Sequence, residues 1–233
     1  MKPVADIADF HTHILPGVDH GSRSLDVSLE QLRLASKFGV NRIVATSHFY
    51  PHAHRLESFL ELRAKAAGEL IGAKQADMPE IKLGAEVLLC EGLENLPNIK
   101  SLCFSGTNYL LLELPFLDFK DEYCYTIEEL LNLGIDVILA HADRYPAENI
   151  NALIDIGVNK LQLNASALAT LMRKKHLYNW IDSGYVVALG SDIHGNDIAA
   201  YKKFVAAKQK LSGRLSAIKE SSDKIWSDIT ANF

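Results

Sequence analysis

Seven short apolar runs alternate with segments of helical spacing along this chain, and nearly every run ends in a histidine, aspartate or glutamate. The first run opens Asp9-Phe10-His11-Thr12-His13; the others cover residues 42–46, 80–85, 108–112, 135–140, 160–163 and 185–189. Helical spacing falls between them, at 22–38, 56–71, 122–133, 146–156 and 165–182, with a helical tail over 197–219 and 222–230. Residues 91–106 read as loop with a short turn or two. Strands alternating with helices imply parallel pairing through right-handed crossovers. Seven such units suit a closed or nearly closed α/β barrel better than an open sheet. No repeat, low-complexity tract or linker divides the chain, so one domain over 1–233 is expected.

Bulk properties narrow the function. A hydrophobic fraction of 48% over 233 residues supports a sizeable core, and no apolar run is long enough to cross a membrane. Residues 1–8 lack a basic start followed by an apolar stretch, so no secretory leader is expected and the reading is cytoplasmic. A net charge of -5 argues against a general nucleic-acid grip. Cys90, Cys103 and Cys124 are scattered and odd in number, which fits reduced thiols, and none has an identifiable histidine partner for cysteine-phosphatase chemistry.

In a parallel barrel the carboxyl ends of the strands form one mouth. His11, His13, His48, Glu86, Glu113, His141, Asp192 and His194 all fall at such ends. His11 and His13 share a strand face because side chains alternate. The loop after them, with Gly17 and Gly21, returns Asp19 and His20 toward the same point. Singly, each residue has a plain structural role: a loop histidine, a solvated glutamate, an aspartate capping a helix. Together they read as metal ligands. The donors are nitrogen and oxygen without cysteine, which suits Mn, Zn or Fe(II), and there are too many for one ion. Two or three divalent ions bridged by a carboxylate are expected, manganese foremost. Such a cluster polarises a phosphoryl oxygen and activates a bridging water.

Arg144 stands three residues past His141, and a guanidinium matches a phosphate better than any other side chain. The competing reading for Arg144 is a surface ion pair with Asp143 or Glu148. Weaker candidates are Asp9, which would orient a ligand histidine, His52 and His54 in the loop beyond His48, and Asn164, which either lines the mouth or caps a helix. His176 reads as a solvated helix histidine.

With those residues laid out, the chain resembles the polymerase and histidinol phosphatase (PHP) superfamily, closest to the CpsB/YwqE-type bacterial tyrosine phosphatases. The resemblance rests on D-F-H-T-H-I-L-P-G-V-D-H-G, A-T-S-H, G-A-E, L-L-L-E-L-P-F, I-L-A-H-A-D-R-Y, Q-L-N-A-S and G-S-D-I-H, in family order from Asp9 to His194. It implies a distorted (β/α)7 TIM-like barrel with a trinuclear centre. One ion would take His11, His13, Glu86 and Asp192; a second would share Glu86 and add Glu113 and His141; a third would take His48, His194 and the residue at position 20. Arg144 would contact phosphate. The implied activity is metal-dependent hydrolysis of phosphotyrosyl protein, the substrate of a bacterial tyrosine kinase, in capsule or exopolysaccharide regulation. Alternatives are a phosphatase of a small metabolite, such as a sugar phosphate or histidinol phosphate, and a non-catalytic metal-binding domain. Two positions depart from the pattern: His20 stands where that branch has an aspartate, and no arginine follows Asp192-Ile193-His194 closely. Oligomeric assembly is left open.

Overall fold

Every apolar run forms part of one parallel sheet. The computed structural model describes residues 6–116, 119–170 and 174–230. Residues 1–5, read above for a leader, and 171–173, inside the helix expected over 165–182, lie outside the described residues. The strands are β1 Asp9–His13, β2 Arg42–Ala45, β3 His48–Phe49, β4 Glu80–Leu83, β5 Glu86–Leu88, β6 Tyr109–Glu113, β7 Asp136–Leu139, β8 Lys160–Asn164, β9 Val186–Gly190 and β10 Ile193–His194. Their order is β3-β5-β6-β7-β8-β9-β1-β2-β4, with β10 added on β1.

Two of the runs are broken strands. β2 and β3 are pieces of one run interrupted at Thr46-Ser47, and β4 and β5 of another interrupted at Gly84-Ala85. Hydrogen bonds from Gly84 N–H to the Ala45 carbonyl (2.9 Å) and from Glu86 N–H to the Ser47 carbonyl (3.1 Å) carry the pairing across both breaks. Joined in this way, seven strand positions follow one another around a ring, as the sequence predicts.

The helices are α1 Leu25–Lys37, α2 Leu56–Ala73, α3 Asp121–Asn132, α4 Ala147–Asp155, α5 Ala165–Ala169, α6 Lys175–Asp182, α7 Ile198–Leu211 and α8 Leu215–Asp228. Two expectations need correction. The helix expected over 165–182 is two helices, α5 and α6. The tail breaks at a 3-10 turn, Ser212–Arg214, and not near residues 220–221. Ser212 takes a left-handed φ of 25° beside Gly213, which turns the chain. Residues 220–221 stay helical because Ile218, Ser222 and Ile225 bury one face of α8 at helical spacing. No described helix is long and apolar enough to cross a membrane.

Alternate residues of the strands serve two cores. Ile43, Leu83, Leu112, Leu139 and Leu163 pack outward beneath the helices. Phe10, Val44, Phe104, Leu111, Ile138 and Ala188 form a second cluster with Trp226 and Ile229 of the tail. Pairing of β1 with β2 shifts register between Asp9 and Thr12, so Phe10 joins that cluster while His11 and His13 still face the mouth. Lys82, only 7% exposed, fastens the tail. Its ammonium donates to the carbonyls of Trp226 and Ile229, both at 2.7 Å, and lies 4.5 Å from the centre of the Trp226 ring. Lys82→Met should lower stability by about 2 kcal/mol, the scale of charged hydrogen bonds lost to buried carbonyls. Denaturant unfolding checks this; an unchanged midpoint would show that Trp226 holds the tail without Lys82.

Candidate metal centre

Strand register assembles the centre. β3 pairs with β5 so that His48 lies beside Glu86, and β1 pairs with β10 so that His13 lies beside His194. On the next strand Leu88 stands opposite Glu113. The sequence-predicted histidines and carboxylates, scattered from residue 11 to residue 194, thereby reach one another. Ligand atoms of His11, His13 and Asp192, of His48, Glu86 and Glu113, and of His13, His48 and His194 form three groups, each lying within 4.8 Å.

Hydrogen bonds fix which way the imidazole lone pairs point. His11 Nδ1 lies 3.0 Å from Gln162 Oε1, and His13 Nδ1 lies 2.8 Å from Asp19 Oδ2. Both partners are acceptors, so both Nδ1 atoms carry the proton. The two Nε2 lone pairs then face each other at 3.2 Å. His194 Nδ1 donates to the Asp192 carbonyl at 3.1 Å, which leaves its Nε2 as an acceptor too, buried and without a partner. Neutral imidazoles so arranged repel unless a cation lies between them.

Glu86 is the hub. Its Oε2 lies 3.0 Å from His11 Nε2, 3.3 Å from His13 Nε2 and 3.0 Å from His48 Nδ1. These separations are short, yet Glu86 Oε2 and His48 Nδ1 make no hydrogen bond of acceptable geometry. The other oxygen, Oε1, lies 2.9 Å from His141 Nε2, and Glu113 Oε1 lies 3.4 Å from the same nitrogen. A buried carboxylate ringed by imidazole nitrogens, with unsatisfied lone pairs on both sides, fits divalent cations better than any network of protein hydrogen bonds. His141 (φ 31°) and Asp192 (φ 53°) hold left-handed backbone conformations, uncommon for residues other than glycine. Such strain concentrates at functional sites.

Asp19 and His20 divide the work of their loop. The Asp19 carboxylate turns inward but is occupied: beside His13 it accepts from the Gly21 N–H at 2.8 Å and the His48 N–H at 3.0 Å. It positions two candidate ligands. His20 is exposed, and its ring stacks 4.8 Å from His48 and 4.7 Å from His194. Gly21 serves by close approach and not by turning the chain. A Cβ there would lie 2.3 Å from His13 Cβ. Gly17, at φ 68°, makes the turn.

The remaining candidates separate cleanly. Arg144 pairs with Asp192 Oδ2, so the reading as a surface pair with Asp143 or Glu148 is not what the structure shows. Asn164 lines the mouth: it makes no side-chain cap, and its Nδ2 donates to Asp192 Oδ2 at 3.1 Å. Asp9 bonds backbone and not imidazole, accepting from Ser191 N–H at 2.8 Å, and burial pushes its carboxyl up to about 7. His54 Nδ1 accepts from the Tyr50 N–H within its own loop and stacks against Phe59. The His52 ring centre lies 6.1 Å from that of Tyr50, in the same loop. His176 packs on Trp180, and none of these three joins the ligand groups.

Sequence reasoning missed several residues of the centre. Gln162 lies behind His11 and also accepts from the His141 N–H at 2.7 Å. It opens the matching segment Q-L-N-A-S, but as a single amide within an apolar strand it was given no role. Gly190 makes room for it: a Cβ there would lie 2.5 Å from Gln162 Nε2 and from His11 Cβ. Tyr50 stacks on His48 at 5.0 Å and Phe116 on His141 at 6.2 Å. Arg23, which nothing in its local sequence marks, shares a cavity of about 420 Å³ with His20, His194 and Asn196. It brings a cation to the rim where the sequence lacks an arginine after His194.

Comparison with known proteins identifies the family. The family model described as capsular polysaccharide synthesis, CpsB/CapC, matches residues 7–216. The chain belongs to the CpsB/CapC family. Within that family it is 28% identical over 210 residues to the tyrosine-protein phosphatase CpsB of Streptococcus pneumoniae, covering 81% of this chain and 83% of that one. It is 28% identical over 141 residues to the tyrosine-protein phosphatase YwqE of Bacillus subtilis, covering 58% and 54%. The fold superposes with a TM-score of 0.77 and 20% identity, over 96% of both chains, on a crystal structure from work on YwqE and CpsB as metal-dependent tyrosine phosphatases.

Charge in this CpsB/CapC fold is balanced by protons when cations are withheld. Burial pulls His11 and His13 down, but Glu86 and Asp192, joined at His13 by Asp19, raise both above 6.5. Burial likewise opposes His141, and Glu113 and Glu86 still lift it to about 9. Burial depresses His48 to about 3 and lowers His194. Raised histidines stabilise the fold fully below 6.5 and cease to do so as pH rises through their folded values. Above pH 6.5, His48 and His194 are neutral folded or unfolded and add no slope. Chelated protein should therefore lose thermal stability steadily from pH 6.5 to about 9. Metal-loaded protein should lose much less, because cations take the place of the protons. Melting curves with and without chelator check this, and parallel pH profiles would contradict it.

Proposed function

We propose that this protein is a metal-dependent protein-tyrosine phosphatase that acts in capsular or exopolysaccharide regulation. The observation that carries the reading is the ring of lone pairs around Glu86 with Arg144 at its rim. Family membership and the tyrosine-phosphatase activity of its relatives CpsB and YwqE support the substrate class. The physiological substrate is a phosphotyrosyl protein, produced by a bacterial tyrosine kinase.

His11, His13, Glu86, Asp192, Glu113, His141, His48 and His194 would hold two or three divalent ions, manganese foremost, with His20 completing the third site. Asp19 is already committed to three hydrogen-bond donors, which favours His20 for that place. Bound ions supply an activated water and neutralise phosphoryl charge. The protein supplies orientation. Gln162 and Asp19 hold His11 and His13 in the tautomers that present Nε2. Asn164 and Arg144 both contact Asp192 Oδ2, and Arg144, partly exposed, can pass from that carboxylate to a phosphoryl oxygen. A phenolate leaving group needs little protonation, since its pKa is near 10.

Arg144→Ala should lower kcat on a phosphotyrosyl peptide by about 100-fold, the scale of one lost charged contact to the transition state. Bound manganese should stay unchanged by elemental analysis. Full turnover in the variant, or full turnover of the wild type after exhaustive chelation, would refute the mechanism.

A further inference from the structure

Phe116 is 67% exposed, the most exposed large apolar side chain among the described residues. The others in that class, Leu62, Tyr125, Leu133 and Ile198, lie in or beside helices. Phe116 instead follows Glu113 closely in sequence and sits at the candidate metal centre. Its ring is nearly parallel to that of His141, at 13° and 6.2 Å, and 6.1 Å from Tyr145. Those contacts account for little of its surface. Tyr145 is fixed from behind, its hydroxyl donating to the Leu114 carbonyl at 2.9 Å and accepting from the Leu114 N–H at 3.1 Å. The backbone just before Phe116 is thus tied down, and the ring is held out at the rim.

Polar groups surround this ring on the centre's side. His141 turns its Nε2 to Glu86, and Arg144, one short turn later, reaches Asp192. A phosphoryl group bound there would bring its ester substituent toward this open aromatic face. On the other side of Glu86, Tyr50 stacks on His48. Both oxygens of the hub thus have a histidine backed by an aromatic ring.

We propose that Phe116 is a specificity-determining residue that stacks on the aryl group of a phosphomonoester and sets the preference for aryl over alkyl esters. The inference rests on the phosphatase reading for its phosphoryl site, but it concerns binding and is tested by binding. Stacked aromatic pairs prefer offset or edge-on contact and add to the burial of apolar area. An alkyl ester gains neither.

The test is calorimetric titration of manganese-loaded protein with phenylphosphonate and with methylphosphonate, neither of which is hydrolysed. The wild type should bind the phenyl compound tighter by about 10-fold, the scale of one aromatic contact with its burial. In Phe116→Ala that ratio should fall to near unity, and in Phe116→Trp it should persist. A wild-type ratio near one, or a ratio unchanged in Phe116→Ala, overturns the proposal. So does a ratio that survives in Phe116→Ala but collapses in Tyr50→Leu, which assigns the contact to the opposite wall. Loss of a dimer on gel filtration with the ratio intact would reassign Phe116 to a contact between copies. Phenyl preference lost in Phe116→Ala, in a protein that hydrolyses no aryl phosphate, would uphold the aryl contact and refute the phosphatase reading. Turnover with an unchanged ratio would do the reverse.

Discussion

Repulsion between lone pairs around Glu86 is the constraint on which the centre depends. His11 and His13 each spend their Nδ1 proton on an acceptor outside the centre, so their remaining nitrogens point at each other and at a carboxylate. Buried charge and unsatisfied buried acceptors are both costly. Only protons or metal ions relieve such an arrangement. Protons do so partially, which is why His11, His13 and His141 are raised while Glu86, opposed by its own burial, is held low by those same histidines.

The barrel serves this arrangement with side chains that take no part in chemistry. Gln162 on β8 links His11 of β1 to the backbone of His141 after β7. Asp19 links β1 to β3 through His13 and the His48 amide. Asp9 ties β1 to the segment bearing Asp192 through Ser191. Each of these bonds spans strands, so a shift in one strand would be felt by candidate ligands on another. The breaks at Thr46-Ser47 and Gly84-Ala85 belong to the same design. They let the upper pieces β3 and β5 carry His48 and Glu86 inward, and the ring is joined through the lower piece β2 to β1 and through the upper piece β5 to β6.

Much of this was legible in the sequence, and the reasons are physical. Short apolar runs between helical segments left few topologies, and polar residues at strand ends of a parallel barrel share one mouth. His11, His13, His48, Glu86, Glu113, His141, Asp192 and His194 were all reachable by that argument, and the structure draws them together. The supporting residues were not. Gln162 and Gly190 stand in the matching segments Q-L-N-A-S and G-S-D-I-H, but neither an amide inside a strand nor an absent Cβ announces from sequence what it supports. Asp19 was ambiguous for a related reason, since adjacent residues in a loop point differently and only the donors around them decide which turns inward. The break in the tail was misplaced because Gly213 carried less weight in the sequence than the polar Glu220-Ser221, which the buried face of α8 tolerates.

Anomalous diffraction from crystals grown with manganese tests the central claim most directly. The account predicts one peak within coordination distance of His11 Nε2, His13 Nε2 and Asp192, and a second between Glu86, Glu113 and His141, with Glu86 touching both. It also predicts that Gln162 and Asp19 keep their bonds to the two Nδ1 atoms. Crystals that show no peak inside the ring, with His11 and His13 protonated on both nitrogens in a neutron map, would contradict it.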